Sequence, residues 1–168
     1  MKVGIIGTGL MGFSMAINIA KKYKLKTFNR TLDKMKGLEK YKINLCSTLD
    51  NLSKDTDVII SMLPGDEEVL ETVSQVKKNI KPNSVFVDMS STKVSTANEC
   101  YKVLKEINSN FIDAPVSGGP EGAKSGSLAI MAGGEQNIFL KIKPILETMG
   151  NSTLLGPNGS GQVAKLCN

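Results

Sequence analysis

The run Lys2-Val3-Gly4-Ile5-Ile6-Gly7-Thr8-Gly9-Leu10-Met11-Gly12 decides the fold. It opens as an apolar strand. Three glycines follow in the spacing G-x-G-x-x-G, and an amphipathic segment begins at Met11. A bound diphosphate needs that order. Gly7 permits the tight turn off the strand. Gly9 has no Cβ, so phosphates can approach the backbone. Gly12 lets the following helix pack closely on the sheet. The helix N-terminus then offers free N–H groups and a partial positive charge. A glycine-rich turn without a ligand is the alternative, but a buried-type strand directly before the motif favours the dinucleotide reading. Thr8, Leu10 and Met11 fill out the loop and count with the glycines as cofactor-binding candidates.

Beyond the loop, strand-like and helix-like segments alternate. This predicts an α/β chain of Rossmann type, doubly wound, with a mostly parallel sheet and helices on both faces. Strands are expected at Lys2–Ile6, Lys26–Asn29, Asp57–Leu63, Ser84–Asp88, Phe111–Ala114, Leu128–Ala132 and Thr153–Leu155. Helices are expected at Met11–Tyr23, Asp66–Lys78, Val94–Ile107 and Gln136–Thr148, with Pro144 kinking the last of these. Thr31 or Asp33 can start a further helix. Asp66, Glu67 and Glu68 complement the dipole of the helix they open.

The 168 residues suffice for one domain with a full core. No stretch approaches the roughly 20 apolar residues of a membrane span. Met1 leads straight into the first strand, leaving no room for a signal or transit peptide, so a cytoplasmic location is expected. The three cysteines lack C-x-x-C spacing and read as reduced packing residues. Histidine is absent, which removes His-based triads and leaves proton transfer to Lys, Tyr, Cys or a carboxylate. No metal site is expected. The net charge is +5. Its densest run, Lys21 to Lys26, reads as a solvated helix end, so neither nucleic acid nor a membrane is expected as a partner.

The end of the second strand bears on which dinucleotide is bound. An NAD site usually places an acid about 20 residues beyond the glycines, where it accepts from the ribose 2′-hydroxyl. This chain has Asn29-Arg30-Thr31. No acid repels a 2′-phosphate there, and Arg30 can pair with one. NADP is therefore favoured over NAD, with an ordinary surface arginine as the other reading. Met62-Leu63-Pro64 and Asp88-Met89-Ser90-Ser91-Thr92 follow strand ends, where open α/β sheets bind ligands. Taken alone they are a Pro-Gly turn and a helix cap. Ser117, Gly118 and Gly119 can form a small nest for a carboxylate, although spacing alone reads as a turn before a helix at Pro120. Lys165 follows Gly159-Ser160-Gly161 on the first turns of a helix. A lysine partly desolvated beside a cofactor can shuttle protons, but by itself Lys165 is one lysine among many.

Together these motifs resemble the 3-hydroxyisobutyrate dehydrogenase (β-hydroxyacid dehydrogenase) family over the whole chain. Asp113-Ala114-Pro115-Val116-Ser117-Gly118-Gly119 followed by Gly159-Ser160-Gly161-Gln162-Val163-Ala164-Lys165 carries most of the specificity. The resemblance implies an NAD(P)-dependent oxidoreductase that interconverts a small hydroxy acid and its aldehyde or keto form. Glyoxylate and succinic semialdehyde reductases fall within that reading. It implies that Gly7–Gly12 and Arg30 hold the dinucleotide, with Leu63, Pro64 and Thr92 near its ribose and nicotinamide. Ser117, Gly118 and Gly119 would bind the substrate carboxylate, Lys165 would be the general acid or base, and Asn168 would orient the substrate. It further implies a domain boundary near residue 158, an interdomain helix starting at 159, and a following all-helical domain that forms a homo-oligomer. The chain ends inside that helix without a C-cap, and more protein is expected to follow. A non-catalytic dinucleotide-binding or assembly module is the alternative. A 6-phosphogluconate dehydrogenase-like activity ranks lower, because the histidine near its lysine is missing here.

Overall fold

A computed structural model describes residues 1–168. One sheet runs through the molecule, in the order β3-β2-β1-β4-β5-β6. These strands are β1 (Val3–Ile6), β2 (Leu25–Phe28), β3 (Asn44–Leu45), β4 (Val58–Ser61), β5 (Val85–Asp88) and β6 (Asn110–Asp113). All five pairings among them are parallel. The order reverses between β1 and β4, the switch point at which such sheets bind dinucleotides. β7 (Val116–Ser117) and β8 (Leu128–Gly133) extend the sheet, β8 running antiparallel to β6 and β7. β9 (Gly150–Gly156) then pairs parallel to β8.

Helices cover both faces, as the sequence predicts. On one face α1 (Gly12–Ala20), α5 (Gly119–Ser125) and α6 (Gln136–Leu146) bury Met15, Ile19, Ala123, Phe139 and Ile142 against Val58, Ile60, Val85 and Val87. On the other, α2 (Leu49–Ser53), α3 (Asp66–Val76) and α4 (Val94–Lys105) bury Leu52, Val69, Val73, Cys100 and Leu104 against Ile59, Phe86 and Phe111. Ile59 and Ile60 thus serve opposite cores, the period-2 alternation of a strand buried on both sides. α7 (Ser160–Cys167) closes the chain beside β8 and β9.

Several boundaries differ from the sequence reading. α1 stops at Ala20, short of Tyr23, and a turn closes it through Tyr23 N–H to Ile19 C=O (3.0 Å). β4 ends at Ser61, because Met62 and Leu63 have already turned into the ligand-side loop. The helix expected from Thr31 or Asp33 is only a 3₁₀ turn, Leu32–Met35, and the Thr31 side chain does not cap it. α2 was not foreseen, although Thr48 marks it: Thr48 Oγ1 accepts the Asn51 N–H at 3.1 Å. β9 begins at Gly150, three residues before the expected Thr153, because Gly-Asn-Ser is a poor strand sequence. Only glycine fits at its start: a Cβ on Gly150 would lie 1.9 Å from the Leu128 carbonyl oxygen. Pro144 lies inside α6, in its last turn, and has no N–H to donate to the Leu140 carbonyl.

Candidate dinucleotide and substrate site

The glycine loop has the geometry its spacing implies. Gly7 has φ +93°, a left-handed conformation, and its Cβ would lie 2.2 Å from the Met62 carbonyl oxygen. A Cβ on Gly12 would lie 1.8 Å from the Gly7 carbonyl oxygen, so α1 packs against the loop as only glycine allows. Gly9 is different. A Cβ there would meet nothing within 4 Å, and the space in front of it is open. Strand and loop therefore dictate Gly7 and Gly12, whereas Gly9 leaves room for something outside the chain.

Asn29 ties the loop to the end of β2. Its Oδ1 accepts the Thr8 N–H at 2.8 Å, and its Nδ2 donates to the Thr31 carbonyl at 2.9 Å. Arg30 therefore leaves a turn held at both sides, and it forms no ion pair. A groove of about 330 Å³ runs past Gly7, Asn29, Arg30, Thr31, Leu63 and Pro64. A second hollow of about 240 Å³ continues it past Gly9, Leu10, Met11, Gly12 and Met62. Lys34 lines both and forms no ion pair. The sequence reading missed Lys34, which the 3₁₀ turn Leu32–Met35 carries into the groove that Arg30 also lines. It also missed the far wall of the groove, which α3 supplies through Glu68, Glu71, Thr72 and Gln75.

The groove suits a dinucleotide. One hollow has the open space at Gly9 and the start of α1, the other has Arg30, and Lys34 lines both. The Thr8 hydroxyl is buried without a partner in the chain. A buried polar atom of this kind calls for a partner from outside. Among the candidate cofactor residues, Thr92 lies apart from the groove. Its hydroxyl is likewise buried and unpartnered.

A second group forms where β6, β7 and α7 meet. Lys165 Nζ donates to the Val116 carbonyl at 2.9 Å. Asn168 Nδ2 donates to Ser117 Oγ at 3.1 Å. Residues about 50 positions apart in sequence thus converge on one spot. Gly118 and Gly119, at φ +132° and +60°, turn the chain there into α5. A Cβ on Gly119 would meet nothing within 4 Å, so this turn also faces open space.

Buried polar links join the two groups. Asp88, at the end of β5, accepts from Ser61 Oγ (2.8 Å) and the Ser90 N–H (3.1 Å). Ser90 Oγ in turn accepts the Leu63 N–H at 2.9 Å. Burial pushes the Asp88 carboxyl up to about 6, against the pull of the Ser90 and Ser61 hydrogen bonds. Asp113 lies opposite Asp88 in the β5–β6 register. It accepts the N–H groups of Gly159 (2.7 Å) and Gln162 (3.0 Å), and burial raises its carboxyl pKa despite them. Asp66, expected to serve the dipole of its own helix, also caps α4. It accepts from the Thr96 hydroxyl and the Lys93 N–H, which lower its pKa. No group of three or more metal-ligating side chains is present, and no helix is long and apolar enough to cross a membrane.

Comparison with known proteins agrees with this geometry. The family model described as the NAD binding domain of 6-phosphogluconate dehydrogenase matches residues 2–156. The 2-hydroxy-3-oxopropionate reductase of Escherichia coli is 35% identical over 100% of this chain and 59% of its own length. The structure of Mycobacterium tuberculosis 3-hydroxyisobutyrate dehydrogenase with L-serine superposes with a TM-score of 0.96 at 30% identity, over 99% of this chain and 58% of that one. Psf3 in complex with NADP+ and 2-OPP gives a TM-score of 0.93 at 25% identity, over 99% of this chain and 61% of that one. The chain thus spans about three fifths of the length of these relatives. It belongs to the family of the NAD binding domain of 6-phosphogluconate dehydrogenase, and over its whole length it is similar to the 3-hydroxyisobutyrate dehydrogenases.

Proposed function

We propose that this chain is the cofactor half of an NADP-preferring oxidoreductase that interconverts a small hydroxy acid and its aldehyde or keto form. The observation that carries the proposal is the convergence of Lys165, Ser117 and Asn168 beside the Gly118–Gly119 turn. The similarity to 2-hydroxy-3-oxopropionate reductase and 3-hydroxyisobutyrate dehydrogenase supports the substrate class. The free Arg30 and Lys34 that line the first hollow support the choice of NADP, since a 2′-phosphate needs such partners.

When bound, the dinucleotide supplies or accepts a hydride at its nicotinamide ring. The chain's own part begins with binding. Gly7–Gly12 and Asn29 to Thr31 hold the dinucleotide, with Met62, Leu63, Pro64 and Thr92 alongside. The Ser117 hydroxyl and the backbone of Gly118 and Gly119 hold the substrate carboxylate, and Asn168 orients it. In reduction Lys165 Nζ gives its proton to the carbonyl oxygen as the alcohol forms. In oxidation it takes that proton back from the hydroxyl. A helical domain following residue 168, through which the protein forms a homo-oligomer, completes this proposal, with the cytoplasm as its compartment.

The test is turnover of 2-hydroxy-3-oxopropionate with NADPH, and of 3-hydroxyisobutyrate with NADP+, in the protein as its source makes it. Lys165→Ala should lower kcat by about 10²–10⁴-fold and leave NADPH affinity nearly unchanged. Turnover that survives Lys165→Ala would remove the assigned acid–base role.

A further inference from the structure

The Gln162 side chain bonds the loop after β5 directly to α7. It is 1% exposed. Its Oε1 accepts the Thr92 N–H at 3.1 Å, and its Nε2 donates to the Ser90 carbonyl at 2.9 Å. Its own backbone N–H is held by Asp113 at 3.0 Å. Both ends of a buried amide are therefore satisfied by a single loop, the one after β5. That loop also reaches the groove, because Ser90 Oγ accepts the N–H of Leu63, a groove-lining residue. On the other side, Lys165 follows Gln162 by three residues, on nearly the same face of α7. The start of α7 has little freedom of its own. A Cβ on Gly161 would lie 2.3 Å from the Met131 carbonyl oxygen.

We propose that Gln162 is a positioning residue: through Ser90 and Thr92 it couples occupation of the dinucleotide groove to the seating of α7, and so fixes Lys165 relative to the cofactor. This deepens the reading of Lys165 and the groove given above and rests on it. Ordering of the Leu63–Ser90–Thr92 segment by a bound dinucleotide strengthens the two bonds to the Gln162 amide. The helix that carries Lys165 then opens less often. With no ligand in the groove, the same bonds hold less firmly and Lys165 is placed less tightly.

The experiment is amide hydrogen exchange, resolved by residue, on the protein as its source makes it, with and without saturating NADP+. Ligand at 100 times its Kd suppresses a fully coupled opening about 100-fold. The amides of Thr92, Gly159 and Gln162 should slow by at least about tenfold. In Gln162→Met, NADP+ should still bind and still protect Gly9 to Gly12 and Leu63, while added protection at Gly159 and position 162 disappears. Gln162→Glu keeps the acceptor for the Thr92 N–H and loses the donor to Ser90, so it should restore the protection at Thr92. If Gln162→Met fails to fold, Gln162→Glu decides the matter by its loss of protection at Gly159. Full NADP+-induced protection of α7 in a folded Gln162 variant would overturn the proposal. So would a wild-type chain in which NADP+ protects the glycine loop and leaves α7 untouched. If NADP+ protects no part of the chain, the cofactor reading fails first and takes this proposal with it.

Discussion

At the scale of the residue, the three glycines of the first loop separate into two kinds. Gly12 is required by the fold, because its Cβ would overlap the Gly7 carbonyl oxygen. Gly9 is not required by the fold, because its Cβ would face open space. Gly9→Ala should therefore leave the thermal midpoint almost unchanged and weaken NADPH binding by at least about tenfold, the equivalent of 1.4 kcal/mol. Gly12→Ala should lower stability by about 1–3 kcal/mol as well as weaken binding. Paired thermal melts and titrations of the two variants check this contrast. Asp88 gives a pH prediction. Its folded pKa of about 6 lies above the ordinary carboxylate value, so the folded state holds a proton that the unfolded chain has released. Its stabilising contribution is full below about pH 4 and is lost as pH rises through about 6, a span worth about 3 kcal/mol. Asp113 is shifted in the same direction and adds to the slope. Asp88→Asn keeps the acceptor oxygen for Ser61 and Ser90, and urea melts between pH 4 and 7 should show a flatter profile than wild type.

At the scale of the element, the sequence revealed most where a strand is fully buried or a helix is long. β1, β4, β5, α3 and α4 could be read from apolar runs and helical spacing, because tertiary packing asks for what the local pattern already provides. It revealed little where a short or polar element is held by contacts distant in sequence. β9 begins with Gly-Asn-Ser, and its place is decided by β8, since the Gly150 position fits only against the Leu128 carbonyl. The antiparallel direction of β8 was equally hidden, because strand direction depends on connections and not on composition. In the site, Arg30, the glycines and Lys165 were legible from motifs. Lys34, Gln162 and the bonding role of Asp113 were not, since Lys34 matters only through its place in the groove and the other two through partners 46 to 72 residues away. α7 shows this dependence most clearly. Gly161→Ala would drive a Cβ into the Met131 carbonyl, and urea denaturation should register a loss of about 1–3 kcal/mol. An unchanged midpoint would mean that α7 is not seated on β8 as described.

At the scale of the whole molecule, two groups of candidate residues are held at the carboxyl ends of one sheet. The groove past Gly9 and Arg30 lies at the switch point, and the Lys165–Ser117 group lies where the sheet changes from parallel to antiparallel. Buried polar groups connect the two: Asp88, Ser90, Gln162 and Asp113, all on or against the carboxyl ends of β5 and β6. The division suits a fold in which the sheet supplies rigidity and the loops supply chemistry. A chain that binds a dinucleotide and reads its 2′-phosphate through Arg30 must distinguish NADPH from NADH. Calorimetric titration of the chain, wild type and Arg30→Ala, with NADPH and then NADH tests it most directly. Wild type should bind NADPH more tightly than NADH, and Arg30→Ala should lose about 1.5–3 kcal/mol, roughly one to two decades, for NADPH alone. Equal losses for both dinucleotides would contradict the 2′-phosphate role of Arg30, and binding of neither by the folded wild-type chain would contradict the account as a whole.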